Sequence, residues 1–107
     1  MFKVELSDLA EADIQHAYTW WRDNRSGEQA ARWYHAVRRA IATLRDIGDR
    51  CAPALEADLH PLGLRQLLFG LGRRPTHRII FLVEGSRVIV YRIRHTAQAT
   101  LESDDLL

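Results

Sequence analysis

The sequence predicts an α+β fold in the order β-α-α-β-β-β, with a helix hairpin packed on one face of a small, mostly antiparallel sheet. Three observations lead there. An alternating apolar segment at the N-terminus reads as a strand, two successive stretches carry apolar residues at helical spacing, and three apolar runs separated by turn residues follow. With 107 residues the chain fits one domain, 1–107, with one modest core. Hydrophobic residues at 47% and charged residues at 27% are ordinary for a folded globular protein.

Phe2, Val4 and Leu6 alternate with Lys3 and Glu5, a short half-buried strand. Ser7 is placed to cap a helix, and Asp8, Glu11 and Asp13 sit where the helix dipole favours negative charge. Ala10, Ile14, Ala17, Tyr18 and Trp21 then form one apolar stripe to about Asp23. Asn24-Arg25 make a tight connection, and Ser26 with Gln29 forms a capping box for a second helix. Its stripe is Ala30, Trp33, Val37, Ala40, Ile41 and Leu44, and Gly48 is its expected C-terminal stop. So short a join predicts an antiparallel hairpin.

Residues 49–62, with Pro53 and Pro61, lack periodicity and read as a loop. Strands follow at about 63–69, 76–84 and 87–94, the last two joined by a short turn at Glu84-Gly85-Ser86. The tail from Thr96 to Leu107 reads equally as a short helix or a loose end. Trp21, Trp33, Val37, Ile41, Leu44, Ile79 and Phe81 form the expected core.

Both faces of the sheet are apolar. Ile79, Phe81 and Val83 point one way and Ile80 and Leu82 the other, while Val88 and Val90 oppose Ile89, Tyr91 and Ile93. One hairpin covers one face only. The other is covered by residues 49–62 and 96–107, or it is an apolar groove for a partner's helix or strand; the groove is the expectation here.

Charge is distributed unevenly. Residues 1–61 carry eight Lys/Arg and ten Asp/Glu, a net of −2, whereas residues 62–95 carry seven Arg against Glu84, a net of +6. That half suits an anionic partner, or else a charged sheet edge that discourages aggregation. The lone cysteine, Cys51, cannot form an internal disulfide. Without an apolar segment near the N-terminus or one long enough to span a membrane, the expectation is a cytoplasmic protein with no membrane partner. His16, His35, His60 and His77 lack metal-ligand spacing, so no metal and no cofactor are expected. Trp20 falls off the apolar stripe of the first helix and is expected at the surface, where indole rings can stack on bases.

Several local motifs occur in a fixed order. Ser7-x-x-Ala10-x-x-Asp13-Ile14 opens the first helix, and Ala30-Ala31-Arg32-Trp33-Tyr34 with Ala40-Ile41-x-x-Leu44 marks the second. Arg65-Gln66-Leu67-Leu68-Phe69-Gly70, His77-Arg78-Ile79-Ile80-Phe81 and Val88-x-Val90-x-x-Ile93-Arg94-His95 mark the three strands. Together they resemble the RelE/ParE toxins of bacterial toxin–antitoxin pairs along nearly the whole chain, the ParE-like branch more closely. The resemblance implies a toxin neutralised by a cognate antitoxin in a hetero-oligomer. ParE-like members bind DNA gyrase and have no chemistry of their own. RelE-like members cut mRNA on the ribosome. A member that only binds its antitoxin is a third reading.

The resemblance also implies working residues. Arg65, Arg78 and His95 are the candidates if the protein is a ribonuclease, with Glu56 or Asp58 as a carboxylate base. The expected target-binding set is Arg65, Arg73, Arg74, Arg78, Arg94 and His95, with Arg65, Arg78 and His95 converging; the alternative for Arg78 is a stabilising pair with Glu56 or Glu84. Two departures bear on the target. Thr96 follows His95 where nuclease members often place Tyr, and Lys3 is the only lysine. Thr96-Ala97-Gln98 likewise replaces the basic pair common in ParE-like members.

Overall fold

The computed structural model describes residues 1–106. It contains β1 (Lys3–Leu6), α1 (Asp8–Asn24), α2 (Gly27–Ile47), β2 (Arg65–Phe69), β3 (His77–Glu84) and β4 (Arg87–His95), with short 3-10 turns at Gly48–Arg50, Ala57–Leu59 and Ser103–Leu106. The strands form one sheet in the order β1-β4-β3-β2. β1 runs parallel to β4, and the other pairings are antiparallel. The architecture is the α+β arrangement expected.

Local chemistry explains the helix starts. The Ser7 hydroxyl accepts from the Ala10 N–H at 3.0 Å and donates to the Tyr91 carbonyl at 2.8 Å, so one side chain caps α1 and fastens it to β4. The Ser26 hydroxyl accepts from the Gln29 N–H at 3.1 Å and caps α2. Gly48 does end α2, but its φ of −51° is right-handed. The reason for glycine there is close approach: a Cβ would lie 2.8 Å from Val88 Cγ2. Gly85, with φ of +60°, opens the two-residue turn between β3 and β4, a conformation that favours glycine.

Ala10 and Ile14 of α1 and Ala30, Trp33, Val37, Ile41 and Leu44 of α2 bury against Ile79, Phe81, Val88, Val90 and Ile93 of the sheet. Each large apolar side chain so buried stabilises the fold by roughly 1.5–3 kcal/mol before entropy is subtracted. Of the expected core, only Trp21 departs: it is half-buried and lines a groove beside the end of β4.

The opposite sheet face is not an open groove, and this corrects the sequence expectation. Ile80 and Leu82 are buried beneath Ala54, Leu64 and Leu101, with Leu59, Tyr91 and Leu106 packed around them. The proline-flanked loop achieves this by first pairing along β2. Ala54 N–H donates to the Leu64 carbonyl and Gln66 N–H to the Ala52 carbonyl, at 2.9 and 3.0 Å. The loop then crosses the face, and the tail closes it. The tail is thus a turn, a buried Leu101 and a short 3-10 segment; its last residue, Leu107, lies outside the described residues.

Candidate functional site

Strand register decides which candidate residues meet. In the β3–β4 pair His77 stands opposite His95 and Arg78 opposite Arg94, while in the β2–β3 pair Arg65 stands opposite Phe81. Side chains alternate along a strand, so His77 faces the helices and Arg78 the other way. Arg65 also faces the helices, but at the far end of the sheet, where its Nη1 donates to the Cys51 carbonyl at 2.6 Å. The expected convergence of Arg65, Arg78 and His95 does not occur.

Arg78 is only 3% exposed, and its guanidinium grips the Glu56 carboxylate with both Nη atoms, the Nη1–Oε1 contact being 2.6 Å. Gln66 Oε1 accepts a further bond at 3.2 Å, and the Leu101 N–H donates to Glu56 Oε2 at 2.8 Å. Burial pushes the Glu56 carboxyl upward, but the bonds from Arg78 and Leu101 outweigh it and hold the group below the usual carboxylate range. The cluster pins loop, sheet and tail together. Glu56 is therefore engaged and unfit as a free base, and Asp58 lies exposed on the same loop. Arg73 and Arg74 are exposed on the loop between β2 and β3.

His95 lies in a different setting. A groove of about 650 Å³ opens between the second half of α1 and the end of β4. Trp20, Trp21 and Arg25 form one wall, and Arg94, His95 and Gln98 the other. Trp20 is 50% exposed and meets Trp21 edge-on at 5.5 Å, with the Arg25 guanidinium 5.9 Å from its ring centre. The His95 Nδ1 accepts from the Ala97 N–H at 2.9 Å, which leaves Nε2 as the nitrogen free to face a partner.

His77 forms the back of the groove. Its ring meets His95 edge-on at 5.0 Å and stacks on Phe69 at 5.5 Å. Nδ1 lies 2.8 Å from the Thr76 hydroxyl and takes a long 3.4 Å bond from the Trp33 indole. Because indole only donates, that bond requires Nδ1 unprotonated. Burial, helped by the neighbouring His95, pushes the His77 pKa down to about 4. His77 is therefore a neutral aromatic wall at neutral pH.

Arg92 also reaches the groove, but Asp13 neutralises it through bonds of 2.7 and 2.8 Å, and Asp13 Oδ2 also accepts from the Ile93 N–H at 2.9 Å. Sequence reasoning missed this lock. Its signal was an acid flanking the buried stripe of α1, which a dipole argument alone does not explain. It also missed His77 as the partner of His95, which the strand register would have revealed.

Fold and groove together define a class: a small α+β domain whose cationic, aromatic-walled cleft is suited to holding another molecule. Residues 4–100 match the family described as "ParE toxin of type II toxin-antitoxin system, parDE", and the chain belongs to that family. A solved chain described as "Chromosomal ParDE TA system from P. aeruginosa" has the same fold, with a TM-score of 0.73 at 19% identity, covering 89% of this chain and 96% of that one. Comparison with curated proteins finds no match.

Proposed function

We propose that this ParE-family toxin arrests growth by binding DNA gyrase in the cytoplasm and that a cognate antitoxin neutralises it in a hetero-oligomer. The observation that carries the choice of target is the buried Arg78–Glu56 pair on the sheet face turned away from His95. Cleavage of RNA by its own 2′-hydroxyl calls for a base, an acid and a cation around one phosphate. Here the candidate cation and carboxylate neutralise each other beneath the loop, while His95 borders a groove behind the opposite face. Binding makes no such demand. Arg94 and His95 of the expected target-binding set border the groove, and Arg73 and Arg74 stand exposed on the β2–β3 loop.

Two assays on the purified toxin separate the targets. One measures supercoiling by gyrase, the other cleavage of a message undergoing translation. Inhibition of supercoiling that the antitoxin reverses, with intact mRNA, is the expected result. Translation-dependent cleavage without an effect on gyrase overturns the reading.

A further inference from the structure

We propose that the groove between α1 and the end of β4 binds a nucleoside phosphate, its base lying against Trp20 and its phosphate held by Arg94 and His95. The idea goes beyond gyrase binding and does not depend on it. It requires no bond to be broken.

Size is the first argument. Ligand clefts typically enclose about 300–1,000 Å³, and this groove encloses about 650 Å³. Charge is the second. The groove is lined by three arginines, Arg25, Arg92 and Arg94, and one acid, Asp13, a net of +2 with histidines neutral (3 − 1 = 2). Asp13 and Arg92 cancel each other through two hydrogen bonds, so the unopposed charge belongs to Arg25 and Arg94. Arg94 gives Nη2 to the Ala99 carbonyl at 2.8 Å. The free Nε2 of His95 adds a hydrogen-bonding nitrogen beside it.

The aromatic wall is the third argument. Trp20 keeps half its surface in water at a position where burying it would be favourable, and base–indole stacking contributes about 1–3 kcal/mol per base. An apolar peptide would bury Arg94 and His95 without partners, which is costly. A bare anion would leave the indole unused. A base joined to a phosphate uses both.

The nucleotide has two sources, a free mononucleotide or a residue of single-stranded DNA, and one titration distinguishes them. Full-length toxin is titrated with thymidine 5′-monophosphate, a dT oligonucleotide, the corresponding duplex and inorganic phosphate, each followed by tryptophan fluorescence and by calorimetry. Saturable binding of the mononucleotide or of the single strand is expected, according to source. Trp20→Ala should weaken it roughly 10-fold, Trp20→Phe should restore most of it, and Arg94→Gln should weaken it and flatten its salt dependence. Arg39→Gln on the exposed side of α2 removes the same charge and should leave affinity unchanged.

The proposal is overturned by no saturable binding of either ligand, by phosphate binding as tightly as the nucleotide, or by equal losses in Arg39→Gln and Arg94→Gln. A duplex preference indifferent to Trp20 overturns it too. Circular dichroism on each variant separates lost binding from lost fold, and Trp20→Phe carries the test if Trp20→Ala unfolds.

Discussion

Glu56 and Arg78 come from a loop and a central strand and meet in a two-pronged ion pair that is almost wholly out of water. Their bond also fixes the tail, through the Leu101 N–H. Three segments that share no secondary structure are held by one carboxylate.

Removing one partner of such a pair leaves a buried charge uncompensated, which typically costs about 3–5 kcal/mol. Arg78→Ala should therefore lower the melting temperature by well over 10 °C, at about 4–8 °C per kcal/mol for a domain of this size. Arg78→Met with Glu56→Leu should recover much of the loss, since an apolar pair of similar volume leaves no charge stranded. Thermal denaturation of the two variants checks this; a single mutant as stable as wild type would show that the pair is not buried in solution.

Trp33 is fully buried against Phe69 and His77, with centroids 6.0 and 5.2 Å away. Trp33→Ala should cost roughly 3–5 kcal/mol, enough to threaten a domain whose stability is about 5–15 kcal/mol. Urea denaturation should show a lower midpoint with an unchanged slope. A midpoint within error of wild type would mean that the two helices do not pack on the sheet as described.

The depressed pKa of His77 makes stability depend on pH in a defined direction. The unfolded chain binds a proton near pH 6.5 and the folded chain only near 4, so between those values the unfolded state holds more protons. Stability from this group is complete above pH 6.5 and is lost as pH falls toward 4. The loss between pH 6.5 and 5 should be about 2 kcal/mol. His77→Phe keeps the aromatic contacts and should flatten that slope. Equal pH slopes in wild type and variant would remove His77 as the cause.

Most of the fold was legible because its determinants are local. Ser7, Ser26 and the apolar stripes each report on residues a turn away, and the turn at Gly85 is set by its own backbone. The site was less legible because it depends on register and on which face each residue takes. Arg78 and His95 both read as members of one converging target-binding set, yet the alternation of β3 sends Arg78 into the pair with Glu56 and leaves His95 at the groove. Residues 49–62 have no periodicity to announce that this stretch covers Ile80 and Leu82. That coverage follows from Pro53 bridging Arg65 of β2 and from the Ala54 N–H bonding the Leu64 carbonyl, a long-range event that composition does not encode.

His95 separates the two modes of action. Its Nδ1 is tied to the Ala97 N–H, so whatever it does for a partner it does through Nε2. A general acid or base at this position must exchange a proton near neutral pH, which an amide cannot do. A contact in a binding surface needs only a hydrogen-bonding group. His95→Gln should therefore preserve growth arrest, while His95→Ala should weaken it. Because the ring is exposed, both variants should melt close to wild type and retain their affinity for the antitoxin. Arg94→Gln, beside it at the groove, should weaken growth arrest as well. The measurement is induction of each variant in cells, with melting temperature and antitoxin affinity taken on purified protein. If His95→Gln is as inactive as His95→Ala while both remain folded, the histidine is moving a proton and the ribonuclease reading gains. If both variants and Arg94→Gln arrest growth like wild type, the working surface lies away from the groove, and the exposed Arg73 and Arg74 are the next residues to change.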